Sequence, residues 1–243
     1  MIMSPIESNL QQLRRAIDDT IGGLPAERRL PVTLVAVSKT QPETAIRAAF
    51  TAGQRAFGEN YVQEAIAKIE AMADLRAAGI EWHFIGPLQR NKAKKVAGHF
   101  DWVHGIDSLA LAEALARHCS DRPVLNVCIQ VNVSGESSKS GVAPEQAPAL
   151  AHQVAALPGL KLRGLMTIIE NTLDPAAQRG QFRIMRECRD GLRAGGLMLD
   201  TLSMGMSQDF RIAIEEGATL VRVGTAIFGA RIPRAATLET DQA

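Results

Sequence analysis

A chain of 243 residues with a net charge of +1 fits one large domain and gives no electrostatic case for binding nucleic acid or an anionic membrane. Its 46% apolar and 22% charged residues are ordinary for a globular protein. No apolar run approaches the roughly 20 residues of a membrane span, and the N-terminus lacks the basic-then-apolar layout of a signal peptide. A cytoplasmic location is therefore expected. The cysteines Cys119, Cys128 and Cys188 are scattered and odd in number. That argues against a disulfide framework or a metal cluster and fits a reducing compartment.

Ile6, Leu10, Leu13 and Ile17 recur at helical spacing ahead of the first strand, and Gly22-Gly23-Leu24-Pro25 ends that helix. This extra helix is expected to close a barrel floor or to pack on an outer helix. A strand–helix unit then repeats eight times, short only of a long last helix. Strands are expected over 32–38, 55–58, 81–85, 102–106, 124–131, 160–168, 201–204 and 220–228. Helices are expected over 42–52, 61–75, 91–97, 109–118, 144–157, 174–192 and 208–216. Alternation of this kind signals a parallel sheet. Eight units at this length favour an α/β fold built as a single (β/α)8 TIM barrel with an extra N-terminal helix. The expectation is one domain over 1–243, with the barrel proper at about 30–231. The first strand is followed by no G-x-G-x-x-G, which weakens a dinucleotide-binding reading.

In such a barrel every strand delivers its C-terminal end to one rim, where active sites form. That rim would collect Lys39, Glu59, Asn60, His83, Gly86, His104, Asp107, Asn132, Met166, Thr167, the 203–207 loop and the 222–225 segment. Lys39 ends the apolar stretch VTLVAVSK in a chain with 20 arginines and only 7 lysines. It reads either as a lysine snorkelling from a strand end or as a desolvated amine that forms a Schiff base with a carbonyl.

Phosphates in barrels often bind at the loops after strands seven and eight. Here those loops offer Ser203, Gly205 and Ser207, then Gly224 and Thr225. Glycine lets backbone approach closely, hydroxyls donate, and a helix N-terminus favours an anion. Ser207 alone could be a plain helix cap. Arg222 lies in the apolar strand LVRVG and needs an acceptor. That acceptor is either a buried carboxylate or a ring nitrogen of a bound cofactor. A Schiff-base lysine, a phosphate cradle and a partner for a pyridine nitrogen are together what pyridoxal phosphate requires. Asn60 either reaches the lysine or the ring or caps a helix, and His83 either lines the ring or is structural. The 137–141 loop and the basic run Lys92, Lys94 and Lys95 read as solvated surface.

Several stretches in strand order carry a resemblance: Val37-Ser38-Lys39-Thr40, FGENYVQE over 57–64, WHFIGPLQ over 82–89, Asn91-Lys92, Gln130-Val131-Asn132, Lys139-Ser140-Gly141, Arg163-Gly164-Leu165-Met166, LSMGMS over 202–207 and VRVGTAIFG over 221–229. With these the chain resembles the pyridoxal phosphate homeostasis proteins, relatives of the alanine racemase N-terminal barrel. The resemblance implies pyridoxal 5′-phosphate bound as an aldimine on Lys39. Its phosphate would lie at the 203–207 loop, Gly224 and Thr225, and its pyridine nitrogen would face Arg222. It also implies a part in vitamin B6 homeostasis, with no established turnover reaction. Gln41, often basic in relatives, departs from the pattern and leaves any second-lysine role at that position without support.

An arginine is always charged and only donates, so it favours an unprotonated ring nitrogen and a weak electron sink. A racemase also needs acid–base groups on both faces of its substrate. The racemases resembled take a tyrosine from a second, β-rich domain, which is not expected here, and the one tyrosine, Tyr61, reads as packing locally. The expected function is therefore a carrier or buffer of pyridoxal phosphate, with the apo-forms of pyridoxal phosphate-dependent enzymes as the partners it would serve and a monomer as its state. The alternative is a pyridoxal phosphate-dependent amino-acid racemase or a related enzyme.

Overall fold

The computed structural model describes residues 3–119, 124–136 and 139–229. The chain begins with helix α1 (Pro5–Gly22). Ser4 Oγ accepts the N–H of Glu7 at 3.2 Å, and Pro5 fills the first turn, where no donor is needed. There follow β1 (Thr33–Val37), α2 (Glu43–Thr51), β2 (Ala56–Glu59), α3 (Val62–Ala71), α4 (Ala73–Ala77) and β3 (Glu81–Phe84). Next come α5 (Ala93–His99), β4 (Trp102–Ile106), α6 (Leu109–Ala116), β5 (Leu125–Gln130), α7 (Ala147–Ala155) and β6 (Leu160–Met166). The last elements are α8 (Pro175–Ala194), β7 (Thr201–Ser203), α9 (Phe210–Glu215), β8 (Leu220–Val223) and the short α10 (Thr225–Phe228). All neighbouring strands pair in parallel and in sequence order, and β8 returns to β1, with Val35 opposite Arg222. This is the closed (β/α)8 barrel that the alternation of elements predicts.

The strands split their side chains between two cores with a period of two. Leu34 and Ala36, Phe57, Trp82 and Phe84, Val127 and Ile129, and Val221 and Val223 belong to the large core shared with the helices. The intervening Val35, Ala56, Trp102, Cys128, Met166 and Leu220 pack on one another as the filling inside the barrel. Beside that filling the barrel interior also carries His83, His104, Ser203 and Arg222, all buried.

Of the two placements expected for α1, the outer one is found. Its buried Leu10, Leu13 and Ile17 pack with α2, α9 and α10, and Asn9 Nδ2 donates to the Ile227 carbonyl at 3.0 Å. Burial of each such side chain contributes about 1.5–3 kcal/mol.

Some boundaries differ from the sequence expectation. The eighth strand stops at Val223, and Thr225–Phe228 is helical. A short apolar run such as Ala226-Ile227-Phe228 has no periodicity that separates a strand from a buried helical turn. The helix expected over 61–75 breaks at Met72 into α3 and α4, and the one expected from 208 begins at Phe210. Ser137 and Ser138 of the polar loop and the expected barrel end at about 231 lie outside the described residues. Among the described residues no helix is long and apolar enough to cross a membrane, and no group of histidine, cysteine and acidic side chains could hold a metal ion.

Candidate functional site

Where the C-terminal ends of the strands meet, a cavity of about 130 Å³ is lined by Lys39, Asn60, Ser207, Arg222, Gly224 and Thr225, with Val37, Ile85 and Ile168 among its apolar walls. These side chains come from the ends of β1, β2, β3, β6, β7 and β8. Among the described residues no carboxylate lines the cavity.

Lys39 is delivered by a tight turn directly after β1. The N–H of Gln41 bonds to the carbonyl of Ser38 at 3.0 Å, and Thr40 sits at φ 63°. A β-branched residue in the left-handed region is strained and persists only where its surroundings fix it. Three neighbours do so. The Thr40 N–H donates to Glu64 Oε1 at 2.6 Å, Lys68 Nζ donates to the Ser38 carbonyl at 2.8 Å, and Ser38 Oγ donates to Glu59 Oε1 at 2.7 Å.

Behind that turn lies a buried charged group. Lys68 Nζ is 2.9 Å from Glu59 Oε1 and 2.7 Å from Glu64 Oε1. Burial pushes the Glu59 carboxyl above its ordinary range, against the pull of Lys68 and of the Ser38 hydroxyl. The Glu59 Oε2 atom is buried with no hydrogen-bond partner. A cation and two carboxylates out of water are costly to break once assembled. This network therefore acts as a rigid backing for the lysine turn.

At the far side, Gly205 has φ 94°, and a Cβ there would come within 2.6 Å of Ala213 Cβ. Only glycine lets the 203–207 loop lie so close to α9. The Met206 N–H is capped by Asp209 Oδ1 at 2.5 Å, and Asp209 is the residue that precedes α9. Ser207 is therefore not the helix cap, and its hydroxyl is left to face the cavity. Thr225 opens α10, in which the N–H groups of Ile227 and Phe228 bond the Gly224 carbonyl at 2.9 and 3.0 Å, while those of Thr225 and Ala226 lie ahead of the first such bond.

Arg222 is 4% exposed and has no carboxylate within ion-pair distance among the described residues. It donates from Nη1 to Ser203 Oγ at 2.7 Å and from Nη2 to the Thr167 carbonyl at 2.8 Å. Burial pulls its pKa down to about 10, opposed by the charge of Asp209. The ion pair with an interior carboxylate, one of the two readings open for this residue, is not what the fold provides.

Of the residues proposed from sequence, the cavity unites Lys39, Asn60, Ser207, Arg222, Gly224 and Thr225. The helix after Asn60 is preceded by Tyr61 and has no side-chain cap, while Asn60 Oδ1 is buried without a partner. The capping role for Asn60 is thus excluded. The structure does not bring His83, Met166 or Ser203 into the lining. Each lies one layer deeper in the barrel, where His83 stacks on Trp102 with centroids 5.3 Å apart, Met166 joins the apolar filling, and Ser203 bonds Arg222. The residues two positions further along β3 and β6, Ile85 and Ile168, take the lining places instead. The strand stagger that sets layer height is a property of closure and is not written in any single strand.

Sequence reasoning missed the roles of Glu64 and Lys68. A signal existed: Lys68 shares the spacing of the buried Ala65 and Ile69, so a charge falls on the apolar face of α3. Cys128, also buried, has its thiol pushed up to about 12 by burial, which leaves it inert as a nucleophile.

Chemically, the cavity offers an amine on a constrained turn, a permanent guanidinium donor, two hydroxyls beside first-turn amides, and an unpaired amide oxygen. That set suits a small anion with a carbonyl and an aromatic acceptor.

The alanine racemase N-terminal domain family matches residues 6–232 of the chain. The chain is 52% identical over 232 residues to the pyridoxal phosphate homeostasis protein of Pseudomonas aeruginosa, covering 94% of this chain and 97% of that one. To the pyridoxal phosphate homeostasis protein of Escherichia coli K12 it is 48% identical over 233 residues, covering 94% and 98%. Among solved structures, PipY of Synechococcus elongatus with pyridoxal phosphate bound superposes with a TM-score of 0.80 at 41% identity, covering 92% of this chain and 100% of that one. Alanine racemase of Corynebacterium glutamicum shares the fold at a TM-score of 0.67 and 21% identity, with 96% of this chain and 63% of that one covered.

Proposed function

The chain belongs to the pyridoxal phosphate homeostasis protein family, and from that premise we propose that it binds pyridoxal 5′-phosphate covalently through Lys39 and serves vitamin B6 homeostasis as a carrier or buffer of that cofactor. The residues present fit the group. Lys39 would hold its aldehyde carbon; Ser207, Gly224 and Thr225 would take its phosphate; Arg222 would face its pyridine nitrogen; and the unpaired Asn60 oxygen would meet a polar group near the ring. The observation that carries the reading is that Lys39 and Arg222 open into one cavity with no carboxylate in its lining among the described residues.

When bound, pyridoxal phosphate supplies an aldehyde that condenses reversibly with primary amines. The rest is what the chain does. The clamp on Thr40 keeps the Lys39 side chain aimed into the cavity. A guanidinium with no carboxylate in ion-pair distance among the described residues presents donors only, so it does not favour a protonated ring nitrogen, and strong carbanion chemistry is not supported. An amine entering at the rim would compete with Lys39 for the aldehyde, which would be the route by which such a carrier hands its cargo to apo-enzymes.

The test is the visible absorption of the purified protein titrated with pyridoxal phosphate. Wild type is expected to develop a Schiff-base band that hydroxylamine bleaches, and Lys39→Ala is expected to show none. An equal band in Lys39→Ala would overturn the assignment.

A further inference from the structure

Beneath Arg222, three buried polar side chains run down the barrel axis in single file. Arg222 Nη1 is 2.7 Å from Ser203 Oγ, Ser203 Oγ is 2.8 Å from His104 Nδ1, and His104 Nε2 is 3.0 Å from His83 Nδ1. His83 Nε2 then faces Glu81 Oε2 at 3.6 Å, beyond hydrogen-bond reach, and that Glu81 side chain is half exposed on the barrel floor. Trp102 stacks on His83, and the guanidinium of Arg163 covers the Trp102 ring at 4.7 Å.

The chemistry of the first member sets the direction of the whole file. A guanidinium only donates, so Ser203 Oγ accepts from it and must turn its own proton elsewhere. The acceptor available is His104 Nδ1. His104 then carries its proton on Nε2 and gives it to His83 Nδ1, which leaves the His83 proton on Nε2, aimed at Glu81. Both imidazoles are thereby neutral and of one tautomer. Burial, the largest cause, pushes the His104 pKa well below its ordinary value, in agreement with a neutral ring.

We propose that Ser203, His104 and His83 are positioning residues for Arg222, forming a one-way hydrogen-bonded file from the guanidinium down to His83 that fixes the guanidinium toward the ring-nitrogen end of the cofactor. The inference rests on the reading of Arg222 given above and assigns that residue its supporting shell. An interior packed with apolar side chains would leave the guanidinium without acceptors on its inner edge and free to turn. The relay replaces that freedom with one orientation.

The experiment has two arms. In the first, cofactor-free wild-type protein labelled with 15N in histidine is examined by long-range 15N NMR at neutral pH. His104 and His83 are expected as neutral Nε2–H tautomers. An Nδ1–H tautomer at either ring, or a doubly protonated His104, overturns the relay whether or not the cofactor ever binds.

In the second arm, pyridoxal phosphate labelled with 15N in its ring is added to wild type, Ser203→Ala, His104→Phe and His104→Gln. The ring-nitrogen resonance is expected to shift in Ser203→Ala and His104→Phe, with cofactor release roughly tenfold faster. His104→Gln, whose amide oxygen can still accept from Ser203, is expected to restore most of both. If the ring-nitrogen resonance is the same in all variants that fold, the file of side chains is packing alone and the proposal falls. If wild type takes up no cofactor, the function proposed above fails while the tautomer result stands by itself.

Discussion

Glu64 Oε1 lies 2.6 Å from the backbone nitrogen of Thr40, and that contact helps to hold a β-branched residue at φ 63° immediately after the lysine of the site. The same carboxylate binds Lys68 Nζ at 2.7 Å. The geometry of Lys39 therefore depends on a side chain one helix away, and the two can be separated by mutation. Thr40→Gly removes the steric cost of the left-handed conformation and is expected to stabilise the cofactor-free protein by about 1 kcal/mol in urea unfolding. Glu64→Ala is expected to cost about 1–3 kcal/mol and to speed release of pyridoxal phosphate from Lys39. A Glu64→Ala protein with unchanged stability and unchanged release would show that the turn is held by other means.

Lys68 is the cation shared by two carboxylates, with side-chain exposures of 9% for the lysine and 0% for Glu59. Lys68→Met keeps the bulk and leaves the two acids facing each other. The expected loss is about 3–5 kcal/mol. It should be smaller in Lys68→Met/Glu59→Gln than in the single variant, because the second change removes one uncompensated charge. Equal losses in both, measured by urea unfolding, would mean that Lys68 acts through packing rather than charge.

Gly86 allows β3 to end against the backbone of Asn60. A Cβ at Gly86 would stand 2.5 Å from the Asn60 carbonyl oxygen and 2.8 Å from its Cα. Gly86→Ala must therefore displace the Asn60 backbone, and with it a wall of the cavity. The expected result is a stability loss of about 1–3 kcal/mol together with weaker uptake of pyridoxal phosphate. Unchanged uptake, read from the visible band in a titration, would show that Asn60 has no part in holding the ligand.

His104 gives the site a signature in the pH dependence of folding. Its ordinary value is 6.5, and burial holds the folded ring well below that. Above about pH 6.5 neither the folded nor the unfolded state binds this proton, so the contribution of the neutral ring is complete. As pH falls, the unfolded chain takes the proton first, and stability is lost progressively until the folded value is reached. Between about pH 6.5 and about pH 5, wild type is expected to lose up to about 1.4 kcal/mol per pH unit more than His104→Phe. Other titrating groups cancel in that difference. Parallel curves would contradict a neutral buried His104.

The barrel was legible because each strand carries its own evidence: short apolar runs, glycine and proline between them, and a helical period in the intervals. Lys39, Arg222, Ser207, Gly224 and Thr225 were legible for a related reason. Each sits at or just past a strand end, and strand ends share a rim. Height within the barrel was not legible. His83 and Met166 point inward as expected, yet stand two residues short of Ile85 and Ile168, which line the cavity. Ser203 was grouped with Ser207 because both lie in one loop, whereas β7 still holds Ser203 inside the barrel beside His104. The clamp formed by Glu64 and Lys68 depends on α3 docking behind β1, a tertiary relation between segments some thirty residues apart. The eighth strand ends at Val223, short of the expected Phe228, because a buried helical turn and a buried strand can be composed alike.

The central claim concerns one nitrogen atom, Lys39 Nζ. Protein loaded with pyridoxal phosphate, reduced with borohydride, digested and mapped by mass spectrometry tests it most directly. The account predicts the reduced cofactor on the peptide that contains Lys39, at about one per chain and absent from Lys39→Ala. Label confined to another lysine, such as Lys68 or Lys139, or no stable label in wild type, would contradict it.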